Sequence, residues 1–264
     1  SDVCSSDLEM SLFDDIKVSG LPSKIEYQCL LNAIIEIQYI SDIKAEIITW
    51  ALYEKFKEDY NIPKVTSFGS IPQEVRQGNP ELRSQILYNI ESKDDFYTIG
   101  IGDGVFNLNL SNFKYDSWEN FLDVFREIFD VLKNNEIHIK RVGVRYINVF
   151  PCELINNDSF SFNFIMRKEN LFDYPLQTVF EFKINERIAR VNIVNQAKYF
   201  YIEDGNRINK DDALALDIDV IYVQDVNKNN ICDVLTVSQI AVKKIFFGMC
   251  KDRFIKHVLK PIED

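Results

Sequence analysis

Lys140-Arg-Val-Gly-Val-Arg-Tyr-Ile-Asn-Val-Phe-Pro151 is the stretch that decides the architecture. Its side chains alternate with a period of two, the pattern of a strand that lays one face on a core. Val142, Val144, Tyr146 and Asn148 fall on one side; Arg141, Gly143, Arg145, Ile147 and Val149 fall on the other. The stretch stands near the middle of a 264-residue chain, which makes it the central strand (140–150), with half of the protein built on each side.

The segment just before it is the most amphipathic in the chain. Trp118, Phe121, Leu122, Phe125, Ile128, Phe129 and Leu132 recur at helical spacing, with Asp116 or Ser117 as N-cap and Asn134-Asn135 as the stop. Upstream, 85–91, 95–101 and 105–110 read as three antiparallel strands, the last two joined by a hairpin at Gly102-Asp103-Gly104. Residues 62–83 hold three of the 7 prolines and read as a long loop. Before that loop, Ile48, Leu52, Phe56 and Tyr60 mark a helix begun by Ser41 or Asp42 and ending near residue 60. A strand at 29–40 precedes it, with Ala33, Ile35, Ile37 and Tyr39 facing away from Asn32, Ile34, Glu36 and Gln38.

The second half repeats the rhythm. Strands are expected at 160–167, 177–184, 188–195, 198–203 and 214–223, with turns at 204–206 and 227–230. A closing helix is expected over 237–259 along Val242, Phe246, Cys250, Phe254 and Val258. The fold class is therefore α+β. One large, mostly antiparallel sheet from two similar lobes (25–150 and 151–264) carries its long helices on the apolar face, within a single domain spanning 11–264. Ser1 to Leu8 resembles a translated adapter remnant, so residues 1–10 are expected to be a non-native, disordered start.

Composition excludes several functional classes. A hydrophobic content of 46% with 20 Phe and 12 Tyr supplies a sizeable core. A net charge of −11 disfavours broad binding to nucleic acid or an anionic membrane, which draws on clustered Lys and Arg. Five widely spaced cysteines without a C-x-x-C pair are expected to be reduced thiols in a cytoplasmic protein. No apolar run reaches membrane-spanning length, and no signal peptide is expected at the start.

At Arg141-Val-Gly-Val-Arg-Tyr-Ile-Asn148 the chain resembles a sporadically distributed bacterial family of unknown function that carries an R-x-G-hydrophobic-R-Y-x-N strand near mid-chain. The resemblance extends to Ala33-Ile-Ile-Glu-Ile37, Tyr115-Asp-Ser-Trp-Glu-Asn-Phe121 and Leu216-Asp-Ile-Asp219. It implies a cytosolic protein from mobile or defence-associated loci, and it brings no catalytic residue with it.

Period-two alternation also sorts the charges. Arg141 and Arg145 share a face, as do Asp217 and Asp219, Glu36 and Gln38, and Glu181 and Lys183. If these strands are neighbours, two guanidiniums meet several carboxylates. The first reading is an ion-pair network in a protein that binds another protein, a second copy of the chain included, and needs no cofactor. The second is a metal- or phosphate-dependent enzyme, with Asp217 and Asp219 on the ion and Arg141 and Arg145 on phosphate. The first is preferred, because the glycine-serine turn of nucleotidyltransferases is missing upstream of Asp217-Ile-Asp219. Gly100-Ile-Gly-Asp-Gly104 lacks the Lys-Ser/Thr of a phosphate loop, and His138 and His257 stand far apart, so neither marks a catalytic site. Lys243, Lys244, Lys251, Arg253, Lys256 and Lys260 would give the last helix a basic, solvated face.

Overall fold

The computed structural model describes Phe13, Ile16 and residues 20–262, apart from 80, 81, 83, 134, 135, 157, 167, 171–173 and 204. The expectations for residues 1–10 and for Asn134-Asn135 fall outside these.

Strands β2 (Leu30–Ile40), β3 (Lys64–Val65), β4 (Tyr88–Glu91), β5 (Tyr97–Gly102), β6 (Val105–Leu110), β7 (His138–Pro151), β10 (Leu176–Ile184), β11 (Arg187–Glu203) and β12 (Asn206–Tyr222) form a nine-stranded sheet. Their order is β10-β11-β12-β7-β2-β6-β5-β4-β3, and every neighbouring pair is antiparallel. The order reads alike outward from the β2–β7 seam. In each half the first strand pairs with the last, a meander continues toward the edge, and a long helix follows. These helices are α3 (Trp118–Lys133) after β6 and α4 (Ile231–Met249) after β12. The expected α+β architecture is the one found. Two short pairs stand apart from the large sheet: β1 (Lys24–Ile25) with β13 (Pro261–Ile262), and β8 (Ile165–Met166) with β9 (Glu169–Asn170).

The alternation does the placing. Ile35 and Ile37 of β2, Val142 and Val144 of β7, and Ile218 and Val220 of β12 are all buried on the helix-covered face. α3 lays Phe121, Phe125, Ile128 and Leu132 on them, and α4 adds Leu235, Val242 and Ile245. Ser117 Oγ accepts the Asn120 N–H at 3.1 Å, so Ser117 caps α3 as its spacing requires. Among the described residues, no helix is long and apolar enough to cross a membrane.

Several boundaries differ from the sequence reading. α1 covers only Ala45–Phe56, after an N-cap at Lys44. Ser41 instead accepts the Ile43 N–H in a turn before it. The loop expected at 62–83 contains β3 and the short helix α2 (Gln73–Gly78). Of the hairpin glycines only Gly104 has positive φ (95°), while Gly102 stays in its strand. The strand expected over 160–167 shrinks to Ile165–Met166. Phe160 stacks on Phe162, Phe164 packs tilted against Phe162, and Phe160 bridges to Cys250. The two strands expected at 188–195 and 198–203 are one, β11, with a bulge around Gln196 (φ 54°). The closing helix starts earlier, at Ile231, and stops at Met249. Cys250 is extended (ψ 137°), and a wide turn at Ile255–Leu259 follows, so the basic residues of 243–260 share no single helix face.

Candidate functional site

The sheet face turned away from the helices carries the charges, and strand register decides which meet. Arg145 of β7 stands opposite Asp219 of β12 on one side and Ile34 of β2 on the other. Its guanidinium nonetheless bypasses Asp219. Nε and Nη2 donate to the two carboxylate oxygens of Asp217, each at 2.7 Å, and Asp217 itself lies opposite Ile147. Arg141 does the same in the other direction. It sits across from Gln38 but donates to Glu36, the residue opposite Gly143. Each arginine thus leans two residues along its strand and reaches a diagonal partner, a geometry open to long side chains.

Gly143 makes this possible. It lies between the two arginines on the same face, and a Cβ there would meet Asp219 Oδ1 at 3.3 Å. With no side chain at 143, the Arg141 guanidinium rests between Glu36 and Asp219, with Nη2 3.8 Å from Asp219 Oδ2. The Asp217 side chain is 14% exposed and Arg145 44%, so this bidentate pair is sheltered on its acidic side. The hydrogen bond to Asp217 raises the Arg145 pKa, against the opposing effect of burial.

Asp219 is the odd member. Its side chain is 23% exposed, and its one ion pair among the described residues is the 3.8 Å contact with Arg141. Burial pushes its carboxyl up to about 6, with the neighbouring Glu36 and Asp217 adding to the rise, and Arg141 and Arg145 hold it down only in part. Glu181 lies outside this group. It faces Arg190 at 3.7 Å, and Arg190 in turn stands opposite Asp219, so Glu181 is two strands away and mostly exposed.

The face continues into a groove. Past the bulge, residues 197–203 of β11 and 206–212 of β12 form a two-stranded arm. Phe113 packs edge-on against Tyr201 (centroids 5.4 Å apart) and Tyr199 (6.4 Å), and Asn112 Oδ1 accepts the Ile202 N–H at 2.9 Å. The arm and the polar face enclose a cavity of ≈ 700 Å³, walled on the sheet side by Asn32, Thr98, Asn109 and Ile147. Asn32 Nδ2 donates to Asn109 Oδ1 at 3.1 Å across the β2–β6 pair.

Five of the six residues expected at the site (Arg141, Arg145, Asp217, Asp219 and Glu36) therefore come together, while Glu181 does not join them. Sequence reasoning missed Arg190, Asn109 and the arm. Arg190 was visible in the alternation of its strand, but the arm depends on a bulge that leaves no pattern. Among the described residues, no three His, Cys, Asp or Glu side chains gather as a metal site. The four described cysteines are free thiols, two of them buried. No protein-family model and no curated protein matches the chain.

Proposed function

We propose that the chain is a non-catalytic binding protein whose polar sheet face, with the groove under the arm, seats an extended segment of a partner protein. The observation that carries this reading is the commitment of both guanidiniums: Arg145 is spent on Asp217 and Arg141 on Glu36. Phosphate would have to displace a carboxylate from each fork, and a cation held by Asp217 would have to displace Arg145. What the groove offers instead is amides, hydroxyls and strand backbone, the groups that hold a peptide in extended form, with Glu91, Asp95 and Lys198 as its charged side chains. Asp219, whose nearest cation, Arg141, donates to Glu36 instead, favours a basic side chain in that peptide. A cytosolic setting and an accessory role in a bacterial defence locus belong to the same proposal, through the resemblance at Arg141–Asn148.

The competing reading is a phosphoryl- or nucleotidyl-transfer enzyme, and the raised Asp219 carboxyl is what favours it. Thermal-shift measurements with Mg²⁺, Mn²⁺ and nucleoside triphosphates separate the two. The binding reading predicts no stabilisation by any combination. A shift of several degrees that disappears in Asp219→Asn would overturn the binding reading and favour the enzyme.

A further inference from the structure

On the opposite, helix-covered face there is a slot of ≈ 330 Å³ between the segment leading into β2, the start of α3 and the middle of α4. Its walls are mostly aromatic and aliphatic, with Tyr27, Trp118, Ile240 and Phe246 among them. Its floor is the sheet, which contributes Tyr146 and Asn148 from β7. The Tyr146 and Tyr115 hydroxyls lie 2.7 Å apart, and Gln239 lines the slot with them. Burial raises the pKa of both phenols, so they stay protonated. Asn148 is only 4% exposed; its Oδ1 accepts the Cys29 thiol, but its Nδ2 has no hydrogen-bond partner among the described residues. A buried amide N–H₂ without an acceptor is rare in folded proteins, because water is lost and nothing replaces it.

We infer that this slot is a small-molecule site for a planar, uncharged ring bearing a carbonyl oxygen, which accepts from Asn148 Nδ2 while the ring lies among the aromatic walls. The volume sets the size. At about 30 Å³ for each water-sized unit, the slot takes on the order of ten non-hydrogen atoms, one ring or a small fused pair. The polar groups set the chemistry. A donor without an acceptor calls for an oxygen, and the neutral floor of amide and phenols disfavours bringing a carboxylate down to it. At the rim Lys24 pairs with Asp116 at 2.6 Å, and Glu119 and Lys243 add one charge of each sign, so the rim carries no net positive charge to draw an anionic ligand. This site is separate from the polar face, and neither proposal depends on the other.

Ligand-observed NMR on the full chain tests it with four probes: benzamide, 2-pyridone, benzoate and toluene. Benzamide and 2-pyridone are expected to bind with Kd on the order of 1 mM, as rings of this size do, and benzoate and toluene at least about tenfold more weakly. In Asn148→Leu the preference of benzamide over toluene disappears. Ile240→Trp, which fills the slot from α4 and leaves the sheet untouched, abolishes binding of all four and guards against a folding defect in the first variant. Equal binding of toluene and benzamide overturns the inference, as does a preference for benzoate. So does binding that survives Ile240→Trp, or the absence of binding by any probe.

Discussion

Gly143 is where sequence and chemistry meet at the scale of single residues. A glycine in the middle of a strand costs stability, and here its missing side chain is what lets Arg141 lie between Glu36 and Asp219. Asp219 then bears the consequence, since it is half-enclosed among carboxylates with its cations committed elsewhere. Its folded-state pKa, about 6, lies above the ordinary aspartate value. The folded protein therefore holds this proton more tightly than the unfolded chain does. Between about pH 4 and pH 6, stability falls as pH rises on account of this group. Asp219→Asn is expected to leave stability nearly unchanged at pH 4 and to raise it by about 1–3 kcal/mol above pH 7, where the unfavourable charge is gone. Urea denaturation at the two pH values reads this directly, and a loss of stability at the higher pH would mean that Asp219 is a well-paired anion. That Arg141 and Arg145 share a face with carboxylates was legible from a period of two. That Arg145 passes over Asp219 to take Asp217 was not, because a diagonal contact depends on register, and register is fixed by distant pairings.

Elements bounded by a hydrophobic change and a local stop were legible, and those ended by tertiary contacts were not. α3 has its cap at Ser117 and its ridge from Trp118 to Leu132, so its start is written locally. α4 ends at Met249 because Cys250 turns extended and bridges to Phe160, a residue far away in sequence. Phe160, Phe162 and Phe164 alternate like a strand because they pack together and against the core, but alternation reports burial and cannot supply a pairing partner. The arm is the element most exposed to experiment. It is joined to the loop after β6 by Phe113 and Asn112, both of which adopt positive φ (58° and 61°). Phe113→Ala is expected to free the arm and leave the sheet intact. Amide exchange at Ile202 should then accelerate at least about tenfold with little change in Tm, since local opening and global unfolding are separate equilibria. Unchanged exchange at Ile202 would show that the arm is held by something else.

Across the whole molecule, the two halves repeat one plan and meet along β2–β7, where ten residue pairs run from Leu30↔Asn148 to Ile40↔His138. The continuous sheet leads us to expect one cooperative unfolding transition. Trp50 reports on the first half, and Trp118, whose Nε1 donates to Thr236 Oγ1 of α4 at 3.0 Å, on its junction with the second, so their fluorescence should change together with the far-UV signal of all the strands. Two separated transitions would mean that the halves are independent. The ionic group spans this junction. Glu36 comes from the first half, Arg141 and Arg145 from the seam strand, and Asp217 and Asp219 from the second half. Its sheltered bidentate pair carries the reading of this face as a binding surface. A double-mutant cycle with Arg145→Met and Asp217→Leu, followed by urea denaturation at neutral pH, measures that pair. The expected coupling is about 2 kcal/mol, with the double variant more stable than at least one single variant, because each single change strands a partly buried charge. A coupling below about 0.5 kcal/mol would mean that the Arg145 fork is free, and an anion-binding site would then replace the ion pair.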